Sequence, residues 1–265
     1  MEFCICTDFA DRERLKYLKK LGYTCIEPIL FKFAELSESE AKDFKAFIDG
    51  EGLKCVSFNC MFPGGFHLYA DGYDERKIVE YAENAYYKAA LSGTKIVTLG
   101  SGGARAVPDG MTHDEAFEKL GATLRNVLAP IAKKNGLSIC IEPLRTCETN
   151  FLNNARDLVR IVKESGCDNV GITLDYFQSY FGGDTSADII ACGKSLMHTH
   201  LASVKHNRAY PVNDDVEDFK KFFDALKVIG YEGALSLECT AGLTGKDFEE
   251  EAKVAFDCTK KALED

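Results

Sequence analysis

The sequence contains no long hydrophobic run. No window approaches the roughly 18 consecutive apolar residues that a membrane-spanning helix requires, so we expect no membrane partner. Residues 1–20 also lack a basic start followed by an apolar stretch, and so they do not resemble a secretory signal peptide. The composition is otherwise that of a globular protein, since 46% of the 265 residues are apolar and 28% are charged.

Positive charge is in deficit. Lys and Arg total 32 against 42 Asp and Glu, which gives a formal net charge of −10. A surface with this excess of negative charge repels phosphate backbones. The balance therefore argues against nucleic acid as the main partner.

The 11 cysteines include no C-x-x-C pair. This absence weakens a zinc-ribbon or thioredoxin-like interpretation, because both use that spacing. The odd number and scattered positions favour small, buried apolar residues in a reducing compartment. We therefore expect a cytoplasmic protein, and no sequence feature supplies a base for a cysteine nucleophile.

A repeating unit of helix, glycine and strand runs along the chain. In each unit a polar, periodic segment ends in glycine and a short apolar run follows, as in LGYTCIEP and SGTKIVTL. Glycine accepts the left-handed conformation that closes a helix, and apolar runs of this length fit strands covered on both faces. The closing glycines are Gly22, Gly52, Gly93, Gly136, Gly166, Gly193 and Gly230. With the first run at residues 3–6, the pattern predicts eight strands. The clearest predicted helices are 75–91, 115–134, 215–229 and 246–263, with a short one within 184–192.

Eight alternations of strand and helix in about 250 residues are typical of a (β/α)₈ TIM barrel. The alternative is a doubly wound open sheet. Such a sheet usually carries a glycine fingerprint after its first strand, and Cys6-Thr7-Asp8 is unlike one. No linker or low-complexity segment divides the chain, so we expect an α/β protein with a single barrel domain over residues 1–265.

Polar residues end most of the predicted strands, where the catalytic groups of barrels lie. In strand order they are Glu27, Asn59, the Gly100-Ser101-Gly102 loop, Glu142, Asp175, His200 and Glu238. A single acidic residue in such a place is most often a solvated loop residue. Three carboxylates and one imidazole on four successive strands instead predict a divalent metal site formed by Glu142, Asp175, His200 and Glu238. Mn²⁺ fits these ligands best, with Mg²⁺, Co²⁺ and Zn²⁺ as alternatives.

Several motifs carry a resemblance to a known family. The stretch from Ile141 to Asn150 (IEPLRTCETN), then Leu174-Asp175, His198-Thr199-His200 and Ser236-Leu237-Glu238 resemble the sugar isomerase/epimerase family with a xylose-isomerase-like barrel. Ser57-Phe58-Asn59 and the Gly-Ser-Gly-Gly loop fit as well. Within the family, the ketose 3-epimerases such as D-tagatose 3-epimerase are the most similar group. The resemblance covers nearly the whole chain.

The resemblance implies roles for individual residues. It implies that Glu142, Asp175, His200 and Glu238 bind the metal, and that Glu142 and Glu238 form the acid/base pair. It also implies that Glu148 and an arginine after the seventh strand, for which Arg208 is the candidate, hold substrate hydroxyls.

Two further residues are candidates for substrate binding. Asn59, at the end of the third strand, is one of them. The other is Gln178, which stands where these epimerases carry a histidine that contacts substrate. The loop from His200 to Arg208 is also about two residues longer than theirs. Both departures concern substrate recognition, so they leave the substrate and the reaction subtype open.

Metal-assisted chemistry at such a site has several outcomes. A metal that binds a carbonyl oxygen and the neighbouring hydroxyl acidifies the adjacent C–H, and a glutamate removes that proton to leave an enediolate. Return of a proton to the opposite face gives epimerisation, and return to the neighbouring carbon gives isomerisation. Loss of a β-hydroxyl gives dehydration.

We therefore expect a metal-dependent isomerase or epimerase of a small ketose or related polyol, with a homo-oligomer as an open question. The first alternative is a lyase that acts on an inosose. A zinc-cluster endonuclease is disfavoured by the scarcity of histidine at strand ends. A non-catalytic sugar-binding protein is disfavoured by the intact pair of opposed glutamates.

Overall fold

A computed structural model of the chain describes residues 1–264 and confirms the predicted alternation of strands and helices. The strands are β1 (Glu2–Cys6), β2 (Cys25–Glu27), β3 (Lys54–Cys55), β4 (Ser57–Phe58), β5 (Ile96–Leu99), β6 (Ser138–Ile141), β7 (Val170–Asp175), β8 (Leu196–Leu201) and β9 (Ala234–Leu237). The helices are α1 (Arg12–Leu21), α2 (Leu30–Phe33), α3 (Glu38–Gly50), α4 (Glu75–Leu91), α5 (His113–Thr123), α6 (Ala129–Lys134), α7 (Ala155–Ser165), α8 (Tyr176–Gly182), α9 (Ser186–Cys192), α10 (Val216–Val228) and α11 (Phe248–Glu264).

The nine strands occupy eight positions in a barrel. β3 and β4 are two halves of the predicted third strand, separated by Val56. β3 pairs with β2, and β4 pairs with β5. The strand order β3-β2-β1-β9-β8-β7-β6-β5-β4 therefore runs once around the barrel and returns to the strand where it began. All pairings are parallel, so the structure confirms the (β/α)₈ fold.

The predicted glycines mark the turns from helix to strand. All seven have a positive φ, between 50° at Gly193 and 113° at Gly22. This region is open to glycine because it has no Cβ, and it lets the chain leave a helix and enter the barrel within a few residues. The repeated glycine is therefore the local cause of the alternating fold.

The helix predicted over residues 115–134 differs from expectation at both its start and its middle. It begins at His113 because Thr112 and Glu115 form a capping box, in which each side chain bonds the other residue's backbone N–H. α5 then ends at Thr123, and a π-helical turn at Leu124–Leu128 precedes α6. Pro130 lies in the first turn of α6 and has no N–H to donate to the preceding turn, which favours an irregular junction there.

The barrel interior is closed by apolar side chains and by hydrogen-bonded hydroxyls. The hydroxyl oxygens of Thr98 and Thr173 are 2.9 Å apart, and both residues are fully buried. Because the strands are parallel, their carboxyl ends meet at one mouth of the barrel. Among the described helices, none has both the length and the apolar character to cross a membrane.

Candidate metal centre and active site

Four potential metal ligands meet at the mouth of the barrel. Glu142 directly follows β6, Asp175 ends β7, His200 lies in β8 and Glu238 directly follows β9. The register pairs Asp175 with His200, and His200 with the residue two before Glu238. One donor atom from each of the four lies within 4.8 Å of the others. The structure thus brings together all four residues that the sequence nominated, and we refer to them as the donor set.

The donor set has the chemistry of a divalent metal site. Asp175 and His200 are fully buried and Glu142 is 3% exposed. Burial, together with the charge of Glu238, raises the pKa of Glu142 to about 7. Burial also raises the pKa of Asp175. Three crowded carboxylates and one imidazole form a hard, mainly oxygen site that a divalent cation would stabilise, so the residues fit such an ion.

Gly100 leaves room for the Glu142 carboxylate. A Cβ added at position 100 would lie 2.0 Å from Glu142 Oε2, and a carbon and an oxygen that are not bonded do not approach so closely. The predicted Gly100-Ser101-Gly102 loop therefore contributes shape rather than a charged group. Glu142 can face the other three members of the donor set in this orientation only if residue 100 is glycine.

His200 is oriented by a second carboxylate, deeper in the barrel. Its Nδ1 is 2.7 Å from Glu142 Oε1, and its Nε2 is 3.1 Å from Glu27 Oε1. Glu27 Oε2 also accepts a hydrogen bond from Ser236 Oγ at 2.6 Å and lies 2.8 Å from His198 Nε2. A carboxylate that accepts the outer ring N–H leaves the other nitrogen free for a metal. His198 thus contacts the same carboxylate as His200.

Within this buried cluster, neighbouring charges oppose the effect of burial on the pKa values of Glu27 and His200. Burial would raise the pKa of Glu27, but the adjacent His198 and His200 outweigh it and hold that pKa well below its usual range. Burial would likewise lower the pKa of His200, and the surrounding carboxylates raise it well above its usual value. A metal that binds Nδ1 of His200 must therefore displace a proton, which makes metal binding dependent on pH.

Arg208 reaches two members of the donor set. Its Nη2 is 3.2 Å from Asp175 Oδ2 and also contacts Glu238 Oε2. The guanidinium carbon lies 5.4 Å from the centre of the Phe177 ring. The side chain is 20% exposed, so the group faces the mouth of the barrel. The family resemblance nominated Arg208 as a substrate-binding candidate, and the side chain lies beside the donor set.

Glu148 is held from two sides beside the donor set. Arg145 Nη2 is 2.5 Å from Glu148 Oε1, and Gln178 Nε2 donates to Glu148 Oε2 at 2.8 Å. Gln178 Oε1 accepts the backbone N–H of Arg145 at 2.8 Å, and its side chain is fully buried. Both polar ends of Gln178 therefore bind protein groups. This places Gln178 behind Glu148, where it supports the carboxylate, instead of in direct reach of a substrate.

A cavity of about 350 Å³ adjoins Glu238 on the side of β1, β2 and β4. Its lining includes Phe9, Ile29, Asn59, Tyr210 and Phe248. The wall combines apolar surface with a few polar groups, as small-molecule sites do. The cavity is open to the donor set through Glu238.

Asn59 connects this cavity to the donor set. Its Nδ2 donates to Glu238 Oε1 at 3.2 Å, while its Oδ1 is buried and accepts no hydrogen bond from the described residues. An unpaired buried acceptor is uncommon and suits a ligand hydroxyl. Asn59, a candidate from the sequence, therefore lies between the cavity and Glu238.

Two further cations near the mouth of the barrel, Arg105 and Lys205, differ in their surroundings. Arg105 is fully buried, and burial lowers its pKa to about 10. Lys205 Nζ is 2.8 Å from Asp218 Oδ2 on α10 and does not line the cavity beside Glu238. The charges of Glu142 and Glu148 act on Arg105, whereas Lys205 is paired with α10.

Two residues of the site were not nominated from the sequence for the roles they have. Glu27 ends β2 as the donor residues end their strands, which was the available signal, but its pairing with two histidines required the register of β8. Arg145 precedes Glu148 by three residues, a spacing that permits contact within one turn. No sequence feature distinguished it from a surface arginine.

Relatives of the chain include sugar epimerases. It is 26% identical over 245 residues to a D-psicose 3-epimerase from Agrobacterium fabrum, a match that covers 89% of this chain and 82% of the relative. It is 24% identical over 237 residues to a 3-dehydro-D-guloside 4-epimerase from Escherichia coli, which covers 85% of this chain and 86% of the relative.

A solved structure shows the same fold over the full length. The D-psicose 3-epimerase of Clostridium cellulolyticum, solved with D-tagatose, superposes with a TM-score of 0.85 at 19% identity and covers 99% of both chains. The family described as xylose isomerase-like TIM barrel matches residues 15–262. That match spans nearly all of the sequence, and the chain therefore belongs to the xylose isomerase-like TIM barrel family.

Proposed function

We propose that the chain is a divalent-metal-dependent carbohydrate epimerase or isomerase, and that its substrate is a small ketose or related polyol. One observation carries the proposal: two glutamates from different strand ends, Glu142 after β6 and Glu238 after β9, share one donor set with Asp175 and His200. The relatives named as a 3-epimerase and a 4-epimerase support the same class of reaction. We favour epimerisation beside a ketone carbonyl.

The donor set defines what a bound metal would contribute. A divalent cation, which we propose to be Mn²⁺, would be held by Glu142, Asp175, His200 and Glu238, and it would polarise a carbonyl and the adjacent hydroxyl and acidify the C–H between them. All further steps fall to side chains of this protein.

The two glutamates differ in ways that suit an acid and a base. Burial and the nearby charge of Glu238 favour a proton on Glu142 in the metal-free protein, where its pKa is about 7, and we propose that Glu142 carries the proton that is returned. Glu238 lines the cavity and receives a hydrogen bond from Asn59 Nδ2, which orients its carboxylate toward a bound molecule. We propose that Glu238 removes the proton on the cavity side and that Glu142 returns one from the other face.

The remaining polar groups would orient the sugar. Arg208 offers a cation beside the reacting carbons and would stabilise the negative charge that develops on the substrate oxygens. Glu148, fixed by Arg145 and Gln178, would accept hydrogen bonds from substrate hydroxyls, and Asn59 Oδ1 would accept another. Positioning of this kind supplies a large part of catalysis in enzymes.

The experiment is turnover of a substrate panel by metal-loaded protein. Mn²⁺-loaded protein would be incubated in D₂O with D-fructose, D-tagatose, L-ribulose and an inosose, and NMR would follow the products. We expect deuterium at C3 of a reacting ketose together with its C3 epimer, because C3 carries the proton beside the C2 carbonyl. The variants E142Q and E238Q should lose exchange, while E118Q, on the exposed face of α5, should retain it.

Two outcomes of the panel would change the assignment. Loss of water from the inosose, without epimers of the ketoses, would favour the lyase. Sugar binding without exchange or product would refute catalysis.

Three expectations stay predictions: a single barrel domain, a cytoplasmic location and a homo-oligomeric state. Limited proteolysis, cell fractionation and light scattering test them in that order.

A further inference from the structure

The segment that carries Arg208 has an unusual backbone. Asn207 and Arg208 have φ values of 51° and 71°, in the left-handed region that residues other than glycine seldom occupy. The backbone N–H of Arg208 donates to Ser203 O at 2.9 Å, and its carbonyl accepts from Thr240 N at 2.8 Å. Such conformations persist where the surrounding structure holds them. The backbone of Arg208 is therefore held in place, and this fixes the position of its Cα.

A buried pair anchors this segment to the fold. Ser203 Oγ donates to Asp215 Oδ1 at 2.7 Å, and both residues are at most 1% exposed. The backbone N–H of His206 donates to the same Ser203 oxygen at 3.1 Å. These buried hydrogen bonds anchor the loop after β8 to the fold, and the loop in turn positions the Arg208 guanidinium.

The guanidinium shares its partners with the donor set. Its two carboxylate contacts, Asp175 and Glu238, are two of the four residues that could hold a cation. An arginine keeps its positive charge at every physiological pH, and like charges repel strongly where water is scarce. A metal ion and Arg208 therefore make opposing demands on the same two carboxylates.

We propose that Arg208 competes with the divalent metal for Asp175 and Glu238, and so keeps metal binding weaker and more exchangeable than the four donors alone would make it. The inference rests on the proposed function, because it concerns the same metal site. Competition is reciprocal: a metal that draws the two carboxylates toward itself loosens Arg208 by the same free energy. Metal binding then makes the guanidinium available to a substrate, and the order is metal first, substrate second.

The first test measures Mn²⁺ affinity by competition with a fluorescent chelator. The wild type is compared with Arg208→Gln and with Lys205→Gln, which removes the same charge from the same loop but from a lysine paired with Asp218. We expect Arg208→Gln to bind Mn²⁺ roughly tenfold more tightly and Lys205→Gln to match the wild type. A folded Arg208→Gln protein with unchanged or weaker affinity overturns the proposal.

A second test uses the wild-type protein, in case Arg208→Gln does not fold. Phenylglyoxal modifies accessible guanidinium groups, and mass spectrometry follows the peptide that contains Arg208. We expect Mn²⁺ to accelerate modification of Arg208, because the metal releases it from its carboxylates. Protection by Mn²⁺, or no change, overturns the proposal.

The two levels of failure are distinguishable. A wild type that binds no Mn²⁺ refutes both the metal site and the competition. A wild type that binds Mn²⁺, with no tightening in Arg208→Gln and no acceleration of modification, refutes the competition alone and leaves the proposed function standing.

Discussion

Gly100 tests the geometry of the donor set most directly, through the addition of a single methyl group. In Gly100→Ala, the new Cβ would lie 2.0 Å from Glu142 Oε2, and real contacts of this kind begin near 3.0 Å. The carboxylate must therefore move by at least about 1 Å, the difference of those two distances. A displacement of that size in a catalytic group costs on the order of 100-fold in rate.

The assay compares kcat/KM and bound metal in Gly100→Ala with those in Gly103→Ala. Gly103 lies in the same loop, no atom lies within 4 Å of the position of its added Cβ, and neither glycine has a positive φ. We expect Gly103→Ala to match the wild type in both measurements. We expect Gly100→Ala to remain folded, since overpacking costs about 1–3 kcal/mol, and to lose metal affinity together with turnover. Wild-type metal content and turnover in Gly100→Ala would refute the assigned role of Glu142.

The remaining predictions concern other residues of the site. Asp175→Asn and His200→Ala should each stay folded and lose metal; full occupancy by elemental analysis in both would remove them from the ligand set. Glu148→Gln should keep its metal and lose turnover. Gln178→Leu should lose turnover by a similar factor, and the double variant should lose little more, because the Gln178 amide acts through the Glu148 carboxylate. Additive losses of turnover would show that the two residues act independently. Metal-stripped protein should lose up to about 3 kcal/mol of stability as pH rises through about 7, because the raised pKa of Glu142 favours folding only while that group is protonated. Mn²⁺ should offset this loss. Melting temperatures of the metal-stripped protein that do not fall from pH 5 to 8 would contradict the raised pKa.

The alternation of elements was already determined by the sequence. Apolar runs preceded by glycine predicted the strands, and each glycine proved to have the positive φ that ends a helix. Where the prediction failed, the cause was local: Pro130 interrupts hydrogen bonding within one predicted helix, and Val56 divides one predicted strand in two. Neither departure changes the course of the chain around the barrel.

The membership of the donor set was also predictable. In a parallel barrel, all carboxyl strand ends meet at one mouth, so strand position alone predicts that Glu142, Asp175, His200 and Glu238 converge. Position along a strand was sufficient, because topology converts sequence order into spatial neighbourhood. Asn59 and Arg208 were nominated for the same region and lie there.

Orientation and partnership were decided only by the tertiary structure. Gln178 was expected to face a substrate, but its side chain is buried and both of its polar ends bind Arg145 and Glu148. Glu27 orients His200 from below, a pairing between residues 173 positions apart. Such contacts depend on side-chain rotamers, on strand register and on distances of a few tenths of an ångström. Local periodicity carries no information on those quantities, because they are set by packing between segments that lie far apart in the chain.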